Sequence, residues 1–487
     1  MLESRRRPSR ARTISIILAL VIVSVIIWQF AAFQDALNRM PRGWTVAGAP
    51  AAGQTPPEVI QRLRITLDQT ITLRYRSEII FLSPHDIGFG LDEPATIQAL
   101  SDAKTEVSTG AQGFLHYLTQ RVPPPRNIPA VTGHSEEELR AFLTQVSERY
   151  DQAPTSAAPL VEELRFVAGQ PGSELDISAS VPLIATAIQS ATQRDVNLVV
   201  KTVPPVPPTL KLLRDLVDVH LKRNFNGQAG VFVKDLQTGE EIGVNEGVAF
   251  SGLGLLKLPI LTETFRRLSG TPDEATLELA AQTATGESNN TAANELLQRL
   301  GDNDPYAGAD RLNSSMRYLG LVNTFIATPY DQDVKPPAIV TRANSRPDMY
   351  TSPDARMQTT PEDVGLLLEM IYACSRGGGA LMAAYPNTFT PDECSRLLNW
   401  LSQATLTDPN GGAPMYIRAG VPGGTRVANK WGWDKETRTN AAVVFTPGGD
   451  FVLVIFLRQT NWGDWQAANP VMADVTRAAY NYFALPR

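Results

Sequence analysis

Lys257 is a candidate for a catalytic lysine because of the sequence around it. It lies in AFSGLGLLKLPIL (249–261), and the apolar run that follows it is typical of a buried helix. A hydroxyl three residues before a lysine shares its helix face, and such a pair can perform nucleophilic catalysis. Here that residue is Gly254, which has no nucleophile. The pattern therefore predicts the helix but leaves the nucleophile position vacant.

Ser251 is a serine close to this lysine, but its spacing is unsuitable. Six positions on a helix correspond to a rotation of about 600°, so Ser251 and Lys257 would not share a face. We therefore expect Ser251 to end the incoming strand or to cap the helix. The alternatives are that it acts as a cryptic nucleophile or contacts a ligand.

Two later stretches carry polar side chains suited to the same chemistry. GESNNTAANELLQRLG (286–301) contains Ser288 and Asn290 at the start of a predicted helix, and VANKWGWD (427–434) contains Lys430. Taken alone, the first stretch is typical of an N-capped helix with small buried alanines.

Composition and charge exclude some classes of protein. The chain has 487 residues, of which 43% are apolar and 19% charged, so it can bury sizeable cores. Its net charge is -6, whereas a general nucleic-acid-binding protein carries a basic field. We expect no nucleic-acid partner.

The spacing of histidine and cysteine predicts no metal site. A zinc site needs ligands in close pairs such as C-x-x-C or H-x-x-x-H. The four histidines are scattered singly, and the two cysteines show no such spacing: His85, His116, His134, His220, Cys374 and Cys394.

The N-terminus predicts a membrane anchor. Five arginines in residues 1–13 precede an uncharged apolar run over 14–33. About 20 apolar residues match the hydrocarbon thickness, and the positive-inside rule keeps the arginines in the cytoplasm. We therefore expect residues 1–13 to be a cytoplasmic tail, 14–33 a single transmembrane helix, and the remainder extracytoplasmic. A cleaved signal peptide is the alternative, although its apolar core is usually shorter.

The region after the anchor is predicted to form two small α+β modules, over 44–125 and 130–202. The patterns GWTVAG, ITLRYRSEIIFLSPHDIGFGLDEPATIQAL and ELDISASVPLIATAI resemble peptidoglycan-binding modules found beside VanW-type and L,D-transpeptidase domains. The resemblance implies glycan binding. The alternative is a spacer between membrane and C-terminal domain.

A proline-rich linker, 203–208, precedes one predicted domain over 209–487. Strand-hairpin patterns stand near both of its ends, with helices between and around them. The ends must pair into one antiparallel sheet flanked by helices, which gives an α/β (α+β) fold.

This layout resembles the class A β-lactamase and penicillin-binding serine hydrolases, whose motifs are S-x-x-K, S-D-N and K-T-G. The resemblance covers roughly residues 225–485, with the motif positions in family order. It implies that Lys257 and Lys430 are the motif lysines, Ser288 a proton-relay hydroxyl, and Asn290 a partner of Lys257 and of the substrate. It implies no cofactor.

The family pattern is incomplete in three places. Gly254 replaces the nucleophile, and Trp431 replaces the hydroxyl residue that binds the substrate carboxylate. An indole there could block the pocket, or point away and leave only backbone around Gly432 and Trp433. The glutamate that activates the deacylating water is also absent, although Asp331 or Asp333 could approach its place.

The cysteines lie in a predicted helical hairpin. Cys374 falls near the end of one helix and Cys394 in the first turn of the next, and antiparallel neighbours can bring them within bridging distance. We expect a disulfide.

These observations favour a membrane-anchored pseudoenzyme that binds an anionic cell-wall ligand, such as a peptidoglycan fragment or a β-lactam-like molecule. The alternatives are an active hydrolase that uses Ser251 or Ser288 and a protein-interaction module of the cell envelope. If the alignment is right, Gly254→Ser restores the S-x-x-K geometry. Adding Trp431→Thr gives the better test, because the indole could obstruct the pocket.

Overall fold

The structure is a computed structural model, and it describes residues 10–108, 110–267, 273–285, 289–334, 336–462, 464 and 466–485. The chain divides into two compact units. The first comprises Met1–Thr155 and Pro171–Pro205, and the second comprises Ser156–Gln170 and Val206–Arg487.

The elements follow in chain order. The helices are α1 Arg10–Leu37, α2 Pro56–Leu67, α3 Glu93–Ser108, α4 Gly110–Leu118, α5 Glu136–Tyr150, α6 Ile177–Ile188, α7 Leu210–Asn224, α8 Lys257–Arg267, α9 Glu274–Thr285, α10 Asn290–Leu300, α11 Pro305–Tyr318, α12 Pro361–Ser375, α13 Ala380–Ala384, α14 Pro391–Gln403 and α15 Asn469–Phe483. The strands are β1 Thr45–Val46, β2 Ala49–Pro50, β3 Ile71–Tyr75, β4 Glu78–Leu82, β5 Gly90–Leu91, β6 Asn127–Ile128, β7 Thr132–Gly133, β8 Ala158–Leu160, β9 Arg165–Val167, β10 Gly172–Leu175, β11 Asp195–Asn197, β12 Val200–Val203, β13 Gln228–Asp235, β14 Glu241–Val244, β15 Phe250–Ser251, β16 Phe325–Ile326, β17 Met357–Thr359, β18 Val427–Trp433, β19 Thr437–Val444 and β20 Phe451–Arg458.

Helix α1 contains the predicted apolar span. Its segment Ile14–Leu37 has a mean hydropathy of 2.7 and is long and apolar enough to cross a membrane. A signal sequence near an N-terminus has the same properties, so this helix establishes the capacity to span a bilayer and not an orientation.

The separation of the N-terminal region into modules over 44–125 and 130–202 was wrong. Strand β3 pairs with β4 and also, in parallel, with β11, so one sheet draws strands from both predicted modules. Ile71 and Leu82 from the first share a hydrophobic cluster with Leu143 and Ile184 from the second. The segment 156–170 belongs instead to the second unit, where β8 pairs with β9. These boundaries are set by strand pairing and core packing between segments that are distant in sequence, and local sequence patterns do not reveal such contacts.

The second unit is built on the predicted antiparallel sheet, with strand order β14-β13-β20-β19-β18. Strand β20 shows why its sequence, FVLVIFLR, is almost continuously apolar. Val452, Val454 and Phe456 join one hydrophobic cluster, and Leu453 and Ile455 join another. Side chains alternate between the two faces of a strand, and both faces of this sheet are covered.

Different helices cover the two faces. The cluster that contains Val454 includes side chains from α8, α10, α11, α12 and α14, whereas the cluster that contains Leu453 includes side chains from α7 and α15. A three-stranded sheet of β15, β17 and β16 leads into the turn before α8. The sheet and α8 together bring Lys257 and Lys430 into one region.

The helices after this sheet begin as their sequence predicts. Thr360 caps α12, where its side chain accepts a hydrogen bond from the backbone N–H of Asp363, and Thr390 forms a capping box with Glu393 at α14. Cys374 and Cys394 are joined by a disulfide, with Cα atoms 5.9 Å apart. The bridge connects α12 to α14, which pack against each other.

Candidate functional site

The turn between β15 and α8 is the local structure on which the site is built. After Ser251 the chain forms a 3-10 turn over Leu253–Leu256, and the α-helix begins at Lys257. Leu253 has a φ of +48°, a backbone conformation that is unfavourable for a branched side chain. Strain of this kind persists where surrounding contacts enforce it, often at functional sites.

Gly254 is held against strand β18 by direct backbone contact. A Cβ placed on Gly254 would lie 2.1 Å from the carbonyl oxygen of Trp431 and 3.2 Å from the Cα of Gly432. Likewise, a Cβ on Gly432 would lie 2.3 Å from the backbone nitrogen of Gly254. The predicted vacancy at the nucleophile position is therefore occupied by the backbone of β18.

The indole of Trp431 is not the obstacle. Trp431 is only 3% exposed and packs in the hydrophobic cluster that includes Tyr416 and Trp462. The backbone carbonyl of this residue, and not its side chain, meets Gly254. Trp433, at the end of β18, is half-buried and packs against the same cluster.

Lys257 is completely buried in a polar environment. Its Nζ donates a 2.7 Å hydrogen bond to Oδ1 of Asn290 and lies 4.3 Å from the centre of the Tyr330 ring. Burial and, to a smaller extent, repulsion from Lys430 lower the pKa of Lys257 to about 7, although the charge of Asp331 acts in the opposite direction. The amine is therefore poised to change its charge near neutral pH.

Asn290 connects this lysine to a carboxylate. While its Oδ1 accepts from Lys257, its Nδ2 donates a 2.8 Å hydrogen bond to Oδ2 of Asp331. The preceding residue, Asn289, caps α10 by accepting a hydrogen bond from the backbone N–H of Ala292. Because the cap fixes where α10 starts, it also fixes the position of the Asn290 amide.

Tyr330 is a site residue that the sequence analysis missed. Its hydroxyl donates a 2.8 Å hydrogen bond to the carbonyl oxygen of the strained Leu253, and Asn294 bonds both the N–H and the C=O of its backbone. Burial raises the pKa of Tyr330, so the hydroxyl remains a donor. The sequence indicates Tyr330 only as an aromatic residue beside Asp331, because its contact with Lys257 is created by the fold and not by spacing along the chain.

Lys430 is also buried, with 1% of its surface exposed. Its Nζ lies 3.4 Å from the carbonyl oxygen of Ala284 and 5.4 Å from the centre of the Trp431 ring. Burial lowers the pKa of Lys430 to about 8. The structure thus brings the two predicted lysines close enough for their charges to interact.

The two candidate serines differ in what can be said of them. Ser251 is buried, and its Oγ accepts a 2.9 Å hydrogen bond from the backbone N–H of Asp354, which ties β15 to a neighbouring loop. Ser288 lies outside the described residues. Of the two carboxylates expected near the missing glutamate, Asp331 reaches Asn290, and Asp333 is exposed.

The C-terminal part of the chain matches a known protein family. A sequence model of a family described as the "Beta-lactamase enzyme family" matches residues 211–271 and 270–483, more than half of the chain. No curated protein matches the chain.

Three solved structures are similar at low identity. An ancestral class A β-lactamase shares 22% identity, covers 55% of this chain and 98% of its own, and has a TM-score of 0.42. PBP-A shares 22% identity, covers 57% and 98%, and has a TM-score of 0.42. A β-lactamase from Xanthomonas campestris pv. campestris shares 19% identity, covers 55% and 96%, and has a TM-score of 0.41.

We predict that Gly254→Ser destabilises the second unit and does not create an acylating enzyme. The new Cβ would overlap the carbonyl of Trp431, and overpacking of this kind costs about 1–3 kcal/mol in the free energy of unfolding. Trp431→Thr does not relieve the overlap, because the obstructing atom belongs to the backbone. The measurement is urea unfolding together with labelling by a fluorescent penicillin.

The matched control is Gly423→Ser, since a Cβ there meets nothing within 4 Å. If Gly254→Ser has the same free energy of unfolding as Gly423→Ser, the backbone of β18 does not approach Gly254 as closely as described. Acylation of Gly254→Ser would show that position 254 has room for a nucleophile, as the sequence analysis expected.

We predict that burial of Lys257 makes stability pH-dependent above neutrality. Its pKa is about 7 in the folded protein against a usual 10.5, so the unfolded chain binds more protons between these values. The free energy of unfolding therefore rises with pH in this window, by up to about 1.4 kcal/mol per pH unit from this group. Below pH 7 the buried charge destabilises the fold by a constant amount.

The measurement compares unfolding of wild type and Lys257→Met from pH 6 to 10. The wild type should gain stability relative to the variant as pH rises, whereas Lys435→Met, at an exposed lysine, should change with pH as the wild type does. Parallel curves for wild type and Lys257→Met would contradict the lowered pKa.

Proposed function

Because the chain belongs to the β-lactamase enzyme family, we propose that its C-terminal unit retains the hydrolase fold for binding and forms no acyl-enzyme. The observation that carries the proposal is the contact between Gly254 and the carbonyl of Trp431. The position three residues before Lys257 therefore has neither a nucleophile nor room for one. Removal of the nucleophile from a serine hydrolase lowers kcat by about 10⁶-fold.

Other departures from the family pattern support the same conclusion. The residue after Lys430 is a buried tryptophan in place of a hydroxyl residue. Asp331 stands near Lys257 in place of a glutamate, and its side chain is already bonded to Asn290. Geometry dominates general-base catalysis, so a shorter carboxylate in a different hydrogen bond is a poor substitute.

We further propose that the site binds an anionic fragment of the cell wall. Lys257 and Lys430 lie close enough for the charge of one to lower the pKa of the other. An anion near both ammonium groups would relieve this repulsion and favour their charged forms. Since both side chains are almost completely buried, binding requires a local opening, and we expect association to be slow compared with diffusion.

The proposed location is the outer surface of a membrane, with α1 as the anchor. The arginines that precede the apolar span of α1 favour a cytoplasmic N-terminus. A disulfide between Cys374 and Cys394 suits an oxidising, extracytoplasmic compartment. The first unit would then act as a spacer or contact glycan itself.

We predict that the wild-type protein gives no covalent adduct with a fluorescent penicillin. The measurement is gel fluorescence and intact-mass spectrometry, with an active class A β-lactamase as the positive control. An adduct on any serine would overturn the proposal. Peptide mapping would then decide between the two rivals, Ser251 and Ser288.

We predict that a muramyl peptide with free carboxylates binds, and that the same peptide with amidated carboxylates binds more weakly. Hydrogen bonds to charged groups contribute about 1.5–3 kcal/mol, so Lys430→Met should lower the affinity by about 10- to 100-fold. Calorimetry on the full chain in detergent measures this, with Lys435→Met as the matched control. Equal binding of both peptides would contradict an anionic ligand, and selective capture of membrane proteins over purified sacculi would favour a protein-interaction module.

A further inference from the structure

Helix α4 carries an apolar stripe that no part of the proposed function uses. Within α4, the side chain of Leu115 is 59% exposed and that of Leu118 is 48% exposed. Just after the helix, the side chain of Val122 is 56% exposed. We call these three residues the α4 stripe. Leu115 and Leu118 are three positions apart and therefore neighbours on one helix surface.

An adjacent side of α4, about 100° around the helix from the stripe, packs against the apolar helix α1. The ring of Phe114 lies 5.6 Å from that of Phe30 and 5.3 Å from that of Phe33, and the ring of Tyr117 lies 5.5 Å from that of Phe33. Phe33 is 7% exposed as a result. Helix α4 is thus fixed to α1 by its aromatic side, while the stripe remains uncovered.

The depth of this contact along α1 indicates what covers the stripe. Phe30 and Phe33 lie about 6–10 Å along the helix from its end at Leu37, at 1.5 Å per residue. Charged residues begin just beyond them, where Asp35 pairs with Arg39. A helix lying in the membrane interface buries its apolar face by about 5–10 Å.

We propose that α4 lies in the outer interface of the same bilayer that α1 spans, with the α4 stripe in contact with lipid. The occupant is lipid because α4, which carries the stripe, packs on α1 at the level where the apolar span gives way to charge. The exposed Arg121, just after α4, suits the level of the phosphate groups. This inference rests on the proposed role of α1 as an anchor, but concerns a second contact that holds the first unit against the membrane.

The test uses the full chain with its native disulfide, reconstituted in vesicles of phosphatidylcholine and phosphatidylglycerol. Single cysteines at Leu115→Cys or Leu118→Cys carry an environment-sensitive fluorophore, and lipids spin-labelled near the headgroup or at the acyl end act as quenchers. Ser24→Cys on α1 reports the anchor, and Gln145→Cys, at an exposed position of α5, is the matched control. Thermal unfolding of each variant verifies its fold.

We expect the labels at 115 and 118 to be quenched several-fold more strongly than the label at 145, and more by the shallow quencher than by the deep one. The label at 24 should respond more to the deep quencher. Quenching at 24 without quenching at 115 and 118 overturns this inference and leaves the anchor in place. The same holds if the stripe crosslinks to a second copy of the chain or to another protein instead of contacting lipid. Quenching at neither place overturns both.

Discussion

Two backbone segments meet without side chains between them at Gly254 and Gly432, and this contact determines what the second unit can do. The turn before α8 and the end of strand β18 approach so closely that neither position tolerates a Cβ. In a serine hydrolase, a reacting group and backbone donors require space between such segments. Here that space is filled by peptide groups, while the antiparallel sheet and helix α8 of the fold remain.

The buried charges follow from the same packing. Closing the space removes water from Lys257 and Lys430, which lowers both pKa values and makes each ammonium depend on nearby carbonyl, amide and aromatic groups. Asn290 and Tyr330 are positioned by the backbone of α10 and by Leu253 respectively, so the polar network and the tight contact support each other. A buried ammonium pair is costly unless it is compensated. The anion binding proposed above would compensate this cost.

Much of the fold could be predicted because it depends on patterns of residues that are close in sequence. Helix caps at Thr360 and Thr390, the apolar run of β20, and the cysteine hairpin depend on residues close in sequence. The boundaries in the N-terminal region could not, because β3 and β11 pair across more than a hundred residues. Similarly, the sequence predicted Lys257, Asn290 and Lys430 as candidate site residues, and the structure joins the first two by a hydrogen bond, but the sequence gave no sign of Tyr330. It also left open whether the indole of Trp431 blocks the pocket or points away, since a sequence lists side chains and does not reveal where a carbonyl points.

The mutual dependence of Gly254 and Gly432 has a consequence for how this protein can vary. Each glycine leaves room for the backbone of the other, so a side chain at either position is opposed by a partner that a second substitution cannot remove. Neighbouring sites coupled in this way show strong epistasis. A serine at 254 would become tolerable only after the turn and strand had moved apart, a change spread over many residues. A substitution at one codon therefore cannot place a side chain at position 254 without displacing the backbone of β18.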